Sequence, residues 1–421
     1  MKVLIITYYW PPAGGSGVQR WLKFVKYFRD FGIEPVIYTV ENPKYALEDE
    51  SLLKDIPEGI EVIRQPIWEP NNVLGNKKKT SAGFLSSNPN FTGRILQYIR
   101  ANYFIPDARK FWIKPSVKFL TDYLNKNKID LLISTGPPHS LHLIGLELKK
   151  KLGVKWVSDF RDPWTEIDYF HQLPLTERSI KKHHKLEQEV LEYSDAVIVV
   201  GETMKQNYKS FNKNIHVIYN GFDTTTDIID NDIVLGKKFT LTHVGLMNDD
   251  RNPSVLWKVL GNISSNNQEF SSVLEIKLIG KVSTTCLEEI NKNNLKNNLE
   301  VIDYLPHNKV QEHQKSAQVL VLAINNVPSA KGILTGKIFE YLNAKRPILA
   351  IGPVDGDLSK IINKTKSGVI VDFDDEVSLK SAILEFYNQF KSEQLVVDSE
   401  NIEQYHRKNL TEKLSKLIKT I

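Results

Sequence analysis

Short apolar runs bounded by turn-forming residues recur along the chain, at 3–7, 35–40, 131–134, 155–158, 196–200 and 216–219. Runs of this length without polar alternation fit strands buried on both faces of a parallel sheet. Between them the period changes. Residues 18–31 place Val18, Leu22, Val25 and Phe28 at helical spacing, and 141–151 and 179–193 follow the same rule. Strands alternating with helices predict βαβ units wound into a doubly wound α/β sheet.

The alternation then starts again. Strands are expected at 239–244, 274–279, 299–301, 319–323, 347–351 and 368–371, with helices at 254–262, 309–316, 337–344 and 377–390. The stretch between the two sets, 220–238, is weakly periodic and rich in Gly, Asp, Thr and Asn, which marks a linker. A chain of 421 residues also exceeds what one hydrophobic core usually supports. The expected organisation is a Rossmann-like domain over 1–220, a second over 221–395, and a basic helical segment in 396–421 that packs back on the first. Open α/β sheets bind ligands beyond the carboxyl ends of their strands, so two such domains are expected to face a cleft with their loops.

Charge and cysteine content narrow the partners. The net charge of +5 is mild; it suits anionic small molecules or an anionic lipid surface and gives no ground for nucleic acid. One cysteine, Cys286, excludes an internal disulfide framework and points to a reducing, cytoplasmic compartment. The first residues, MKVLIITYYWPPAGG, lack the long apolar core and small-residue cleavage site of a signal peptide and read as a buried strand. No stretch approaches the ~18 apolar residues of a membrane span. Residues 74–124 break the α/β pattern with Lys77, Lys78, Lys79, Phe84, Phe91, Arg94, Tyr98, Arg100, Tyr103, Phe104, Arg109, Phe111 and Trp112. Basic and aromatic residues in one segment suit peripheral contact with an anionic membrane. The other reading is an insertion whose aromatics pack on the first domain.

Five stretches carry candidate chemistry. YWPPAGGSG (9–17) joins the first strand to the first helix. Gly14, Gly15 and Gly17 permit close backbone approach, and the helix N-terminus beyond them suits a diphosphate. A dinucleotide fingerprint needs a third glycine where Arg20 stands; Glu41, placed to meet a ribose, keeps an NAD enzyme among the alternatives. STGPPHS (134–140) puts His139 at the end of a strand, where it can bond a sugar hydroxyl. DFRDPW (159–164) packs Asp159, Arg161 and Asp162 after another strand, to contact an acceptor or to support the loop. In TGKIFEYLNAKRP (335–347), Gly336 precedes a helix with Lys337 in its first turn, where a cation opposes the helix dipole. A bound phosphate resolves that conflict, and Glu340, one turn on, can accept both hydroxyls of a ribose. In HVGLMNDDRNP (243–253), Gly245 allows approach of a phosphate and Arg251 can neutralise one. The acids at 249–250, 372 and 374 read as surface turns, so no metal site is expected.

Taken in order, YWPPAGGSGVQR, STGPPHS, DFRDPW, VIYNGFD, HVGLMNDDRNP and TGKIFEYLNAKRP resemble the family-4 retaining glycosyltransferases of the GT-B fold, nearest the bacterial surface-polysaccharide type. The resemblance spans about residues 1–390. It implies a nucleotide-sugar donor on the second domain, with Glu340 on the ribose, Lys337 and Arg251 near the diphosphate, and Gly245 and Gly336 lining the donor site. It implies an acceptor, a saccharide or a lipid-linked saccharide, on the first domain, with Gly14 and Gly15 toward the donor phosphates and His139 beside the donor sugar. Transfer then proceeds with retention and without a metal or other cofactor. One departure stands out. The family carries a glutamate eight positions before the ribose-binding one, and here that position is Gly332; backbone amides of 332–335 are the available substitute. The alternatives are a nucleotide-sugar epimerase of the same architecture and a non-catalytic sugar-nucleotide binding protein.

Overall fold

A computed structural model of the protein describes residues 1–41, 43, 45, 47–69, 91–223, 235–303, 305 and 307–421. The chain forms two compact units, Met1–Asn220 together with Arg407–Ile421, and Gly221–His406.

The first unit contains strands β1 (Lys2–Ile6), β2 (Glu34–Glu41), β3 (Glu61–Pro66), β4 (Leu131–Gly136), β5 (Trp156–Phe160), β6 (Ala196–Val199) and β7 (Ile215–Val217). They make one parallel sheet in the order β3-β2-β1-β4-β5-β6-β7. Its helices are α1 (Ser16–Phe28), α2 (Phe91–Tyr103), α3 (Ile113–Lys126), α4 (Ser140–Leu152), α5 (Glu177–Tyr193) and α6 (Glu202–Tyr208). The central strands β4 and β5 are buried along their whole length, as inner strands of a parallel sheet are, and the Ser, Thr and Asp residues they carry are buried with them. The edge strand β3, EVIRQP, mixes polar and apolar residues without a regular period, and it presents no apolar run.

The second unit repeats the plan with β8 (Phe239–Val244), β9 (Leu274–Ile279), β10 (Leu299–Ile302), β11 (Val319–Ala323), β12 (Ile348–Ile351) and β13 (Gly368–Val371). They too are parallel, in the order β10-β9-β8-β11-β12-β13. Helices α7 (Ser254–Asn266), α8 (Gln268–Val273), α9 (Thr284–Lys292), α10 (His307–Ser316), α11 (Lys337–Ala344), α12 (Asp357–Thr365) and α13 (Glu376–Lys391) connect them. The order reverses between β1 and β4 in one sheet and between β8 and β11 in the other. Loops diverge at such a reversal and leave a crevice at the carboxyl ends of the strands.

The closing segment is not one helix across 396–421. A 3-10 turn at Ile402–Tyr405 and an extended His406 precede α14 (Arg407–Thr420). Residues up to His406 stay with the second unit, where Tyr405 packs on Phe339. Leu410, Leu414 and Ile418 repeat every fourth residue on α14 and are buried in the core of the first unit. Burial of each such side chain is worth about 1.5–3 kcal/mol, enough to hold the chain end there.

Of the basic, aromatic segment 74–124, residues 74–90 lie outside the described residues. Trp112 is buried and stacks on Tyr38 at 5.1 Å, so it belongs to the core. No residue of α2 is buried.

Candidate active site

In the second unit the site is built at the strand-order reversal. Gly245 follows β8 with φ 109, a conformation that glycine tolerates best, and its amide donates to Ile279 O. The Lys337 side chain lies across it: a Cβ on Gly245 would stand 2.5 Å from Lys337 Cε and 2.8 Å from its Nζ. Tyr341 fixes the helix that carries Lys337, since its hydroxyl accepts from Val244 N at 3.1 Å and donates to Val321 O at 3.3 Å. The 3-10 turn Asp249–Arg251 brings in Arg251, whose guanidinium donates to Leu246 O.

Two cationic groups therefore share this corner. Burial, and after it the charge of Arg251, push the Lys337 ammonium down to about 7, while Glu340 acts in the opposite direction. No hydrogen bond or ion pair of the Lys337 ammonium occurs among the described residues. Buried His243 beneath it donates from Nδ1 to Val321 O; burial and the Lys337 charge keep it neutral. Glu340 accepts from Gln314 Nε2 at 3.1 Å, and Gln314 is itself buried on α10. Gly336 precedes α11, and a Cβ there would meet nothing within 4 Å. At Gly332, a 3-10 turn uses the amides of Gly332 and Ile333 to bond Ser329 and Ala330, so of the amides of 332–335 those two serve the turn.

In the first unit, loops after β1, β4 and β5 meet at the other reversal. Gly14 is packed by its own chain: its amide donates to Leu47 O, and a Cβ would come 2.9 Å from Leu47 Cγ. Gly15 is exposed, at φ 80, and caps α1, whose first turn carries no acid. Such an end suits an anion. Gly17 is confined by the Arg161 guanidinium and the Tyr9 ring, 3.0 and 3.1 Å from a hypothetical Cβ. Arg161 pairs with half-exposed Asp162 at 3.1 Å.

Asp159 takes the supporting role. It is fully buried and accepts from Arg20, from Trp21 Nε1 at 2.7 Å and from Thr135 Oγ1 at 2.9 Å, while Arg20 continues to Tyr219 O and Asn220 Oδ1. His139 is nearly buried at the start of α4, with its ring parallel to the Trp164 indole at 4.7 Å. Burial foremost, then His142, His183 and Arg161, lower its pKa and keep it neutral. The α4 N-terminus is already occupied by an acid: Asp107 accepts from Ser140 N at 2.9 Å and from Ser140 Oγ at 2.8 Å.

Residues 15–226 match the family model described as Glycosyltransferase Family 4, and 238–389 match that of Glycosyl transferases group 1. The chain is a family-4 glycosyltransferase. A search of curated protein sequences returns no match. Among solved structures it is similar to sucrose-phosphate synthase from Thermosynechococcus elongatus, with TM-score 0.62 and 14% identity over 100% of this chain and 98% of that one. It is similar to an S. aureus TarM mutant in complex with fondaparinux, alpha-GlcNAc-glycerol and UDP, with TM-score 0.62 and 13% identity over 99% of each chain. It also resembles the UDP-GlcNAc 2-epimerase of Methanocaldococcus jannaschii, with TM-score 0.54 and 12% identity over 100% of both chains. At these identities the likeness is one of fold, and that fold is GT-B.

Within this glycosyltransferase the second unit brings together Gly245, Arg251, Lys337 and Glu340, and the first brings Arg161 beside Asp162 and His139. Sequence reading missed Tyr341, Gln314, His243 and Trp164. The signal for Tyr341 and Trp164 was present, as large aromatics inside motifs already singled out. Gln314 carried none. Among the described residues no three His, Cys, Asp or Glu side chains form a metal-binding group, and no helix is long and apolar enough to cross a membrane.

Proposed function

We propose that the second unit of this glycosyltransferase holds a nucleoside diphosphate sugar, and that the enzyme transfers the sugar with retention to a saccharide or lipid-linked acceptor in surface-polysaccharide assembly. The observation that carries this reading is Lys337. A side chain with a depressed pKa, laid over a bare glycine beside a second cation, suits an anionic group that approaches the Gly245 backbone. A diphosphate at that point supplies the missing counter-charge, and Glu340, steadied by Gln314, is left for the ribose hydroxyls. During transfer the bond from the anomeric carbon to the diphosphate oxygen breaks and its electron pair stays with the diphosphate. The acceptor oxygen bonds to the anomeric carbon on the same face, and its proton passes to the departing phosphate oxygen. Lys337 and Arg251 stabilise the charge that develops there. In the first unit, neutral His139 offers a hydrogen bond to the sugar, while Arg161 and Asp162 meet the acceptor. No resident metal or cofactor has a part, so turnover is expected to survive EDTA.

The decisive assay incubates the protein with UDP-, GDP- and ADP-sugars, with and without saccharide acceptors. The expected outcome is nucleoside diphosphate release that depends on the acceptor, with the anomeric configuration kept in the product by NMR. An isomerised donor formed without acceptor would instead identify an epimerase.

Peripheral attachment to an anionic membrane fits α2. Phe91, Ile95, Leu96, Tyr98, Ile99 and Tyr103 are all exposed on it, and Phe91 and Tyr103 are 78% and 66% exposed. Exposed Trp68 packs edge-on against Phe111 at 4.7 Å, adding amphipathic rings suited to a membrane interface. Arg94 is exposed on the same helix. Burial, and next the charge of Lys182, lower the Lys110 pKa, as expected where cations gather. Exposed apolar side chains with cations beside them match an anionic lipid surface. Co-sedimentation is expected with phosphatidylglycerol vesicles and not with phosphatidylcholine vesicles, and Ile95→Asp with Ile99→Asp should abolish it. Equal binding to both vesicle types would remove the electrostatic part of this reading.

A further inference from the structure

His139 does not hold its place alone. Its ring is confined on one side by Gly136, where a Cβ would stand 3.0 Å from His139 Nδ1, and it stacks on Trp164 with only 6° between the planes. Trp164 in turn is held by a buried polar assembly on α5. Its indole N–H donates to His183 Nδ1 at 3.0 Å, and its backbone N–H donates to Glu187 Oε1 at 3.2 Å. Glu187 also accepts from the Thr165 backbone and hydroxyl and from the Tyr208 hydroxyl at 2.6 Å. His183 and Glu187 stand four residues apart on one face of α5, so the helix grips the DFRDPW loop at two points of one residue. Trp164, His183 and Glu187 are all buried, and none of the three is free to contact a substrate directly.

A side chain that is buried, bonded at both its indole and its backbone, and laid flat on a ring beside the loops after β1 and β4 does more than fill space. Hydrophobic packing alone is served by any ring tilt, whereas fixed bonding sets one tilt. We propose that Trp164 is a positioning residue for His139, and that His183 and Glu187 of α5 set the plane in which the imidazole is presented. This rests on the reading that His139 contacts the donor sugar. The expected consequence is that disturbing the indole costs turnover through His139 and through no other route.

A double-mutant cycle on the full-length protein tests this. Nucleoside diphosphate release is followed with UDP-glucose, UDP-N-acetylglucosamine or GDP-mannose, whichever the wild type turns over. His139→Ala is expected to lower kcat about 100-fold, and Trp164→Leu about 10-fold or more, since a small misplacement of a contacting group has effects of this size. In the His139→Ala background, Trp164→Leu should then cost less than about 2-fold, because groups that act as a unit are non-additive. If Trp164→Leu does not fold, Trp164→Phe keeps a ring in the stack and loses only the N–H. It should lower kcat with little change in donor KM, and its effect too should vanish without His139. Multiplicative losses in the double variant would overturn the inference while leaving the role of His139 intact. Wild-type turnover by His139→Ala would overturn that role itself, and the inference with it.

Discussion

The charged centres of the two units differ in whether the chain satisfies them. Asp159 in the first unit is buried completely, and its partners Arg20, Trp21 and Thr135 are donors supplied by the same unit. Lys337 in the second unit is pressed against Gly245 beside Arg251, and burial holds its pKa down to about 7. Both residues lie next to loops at a strand-order reversal, so location alone does not separate them. Compensation does. A charge balanced from within acts as scaffold, and a charge left unbalanced at some cost to stability suits a ligand.

The sharpest way to break this contrast is to remove each charge and read both turnover and melting temperature. Lys337→Met should lower turnover by about 100- to 1,000-fold, the loss typical of a donor to developing charge. It should also raise the melting temperature. The folded pKa of Lys337 lies below its unfolded value, so the unfolded chain binds more protons between about pH 7 and 10, and the cation opposes folding across that range and below it. A neutral side chain of similar size removes that penalty, by at least ~1 kcal/mol given about 1.4 kcal/mol per pKa unit. Asp159→Leu should do the reverse to stability. It leaves the Arg20 guanidinium buried without its counter-ion, at about 3–5 kcal/mol. Calorimetry showing Lys337→Met less stable than wild type would erase the distinction.

The same contrast explains what could be read from the chain. β1, β11 and β12, inside their sheets, carry continuous apolar runs and announce themselves. β3, and the short helices α9 and α12, mix polar residues with few apolar ones and do not. Lys337 was legible because a cation in the first turn of a helix violates a local rule, and local conflicts are visible in a linear string. The partners that decide Asp159, Trp164 and Glu340 are not local: Arg20 stands 139 residues from Asp159, Glu187 23 from Trp164, and Gln314 26 from Glu340. Nothing in DFRDPW says which acid is turned inward. The fold pairs Asp159 with α1 and leaves Asp162 half exposed beside Arg161, and only that pairing assigns the two acids different work.

The pH profile sharpens the comparison at lower cost to the molecule. With Lys337 cationic below about pH 7 and neutral above it, capture of a diphosphate by the free enzyme weakens as pH rises through that value. kcat/KM for donor, which reports ionisations of the free enzyme, should therefore fall on the alkaline side by up to about tenfold per pH unit. Lys337→Arg keeps a permanent charge and should abolish that limb whatever it does to the absolute rate. An alkaline limb that persists unchanged in Lys337→Arg would place the ionisation elsewhere.

The smallest effect expected lies between the two extremes, at Glu340. Gln314 supplies a single charge-assisted hydrogen bond to this carboxylate, worth about 1.5 kcal/mol, or roughly tenfold. Gln314→Leu is thus expected to raise donor KM about tenfold with kcat nearly unchanged, because a ribose contact of Glu340 would be made equally in ground and transition states. The same variant should lose part of the preference for a ribose donor over its 2′-deoxy analogue, whereas a packing defect at α10 would weaken both donors alike. Glu340 is held by one partner where Asp159 is held by three, and a carboxylate with acceptor capacity to spare is the one able to take a substrate hydroxyl. If Gln314→Leu lowered kcat and left the ribose preference whole, Glu340 would have to be grouped with Asp159 as scaffold.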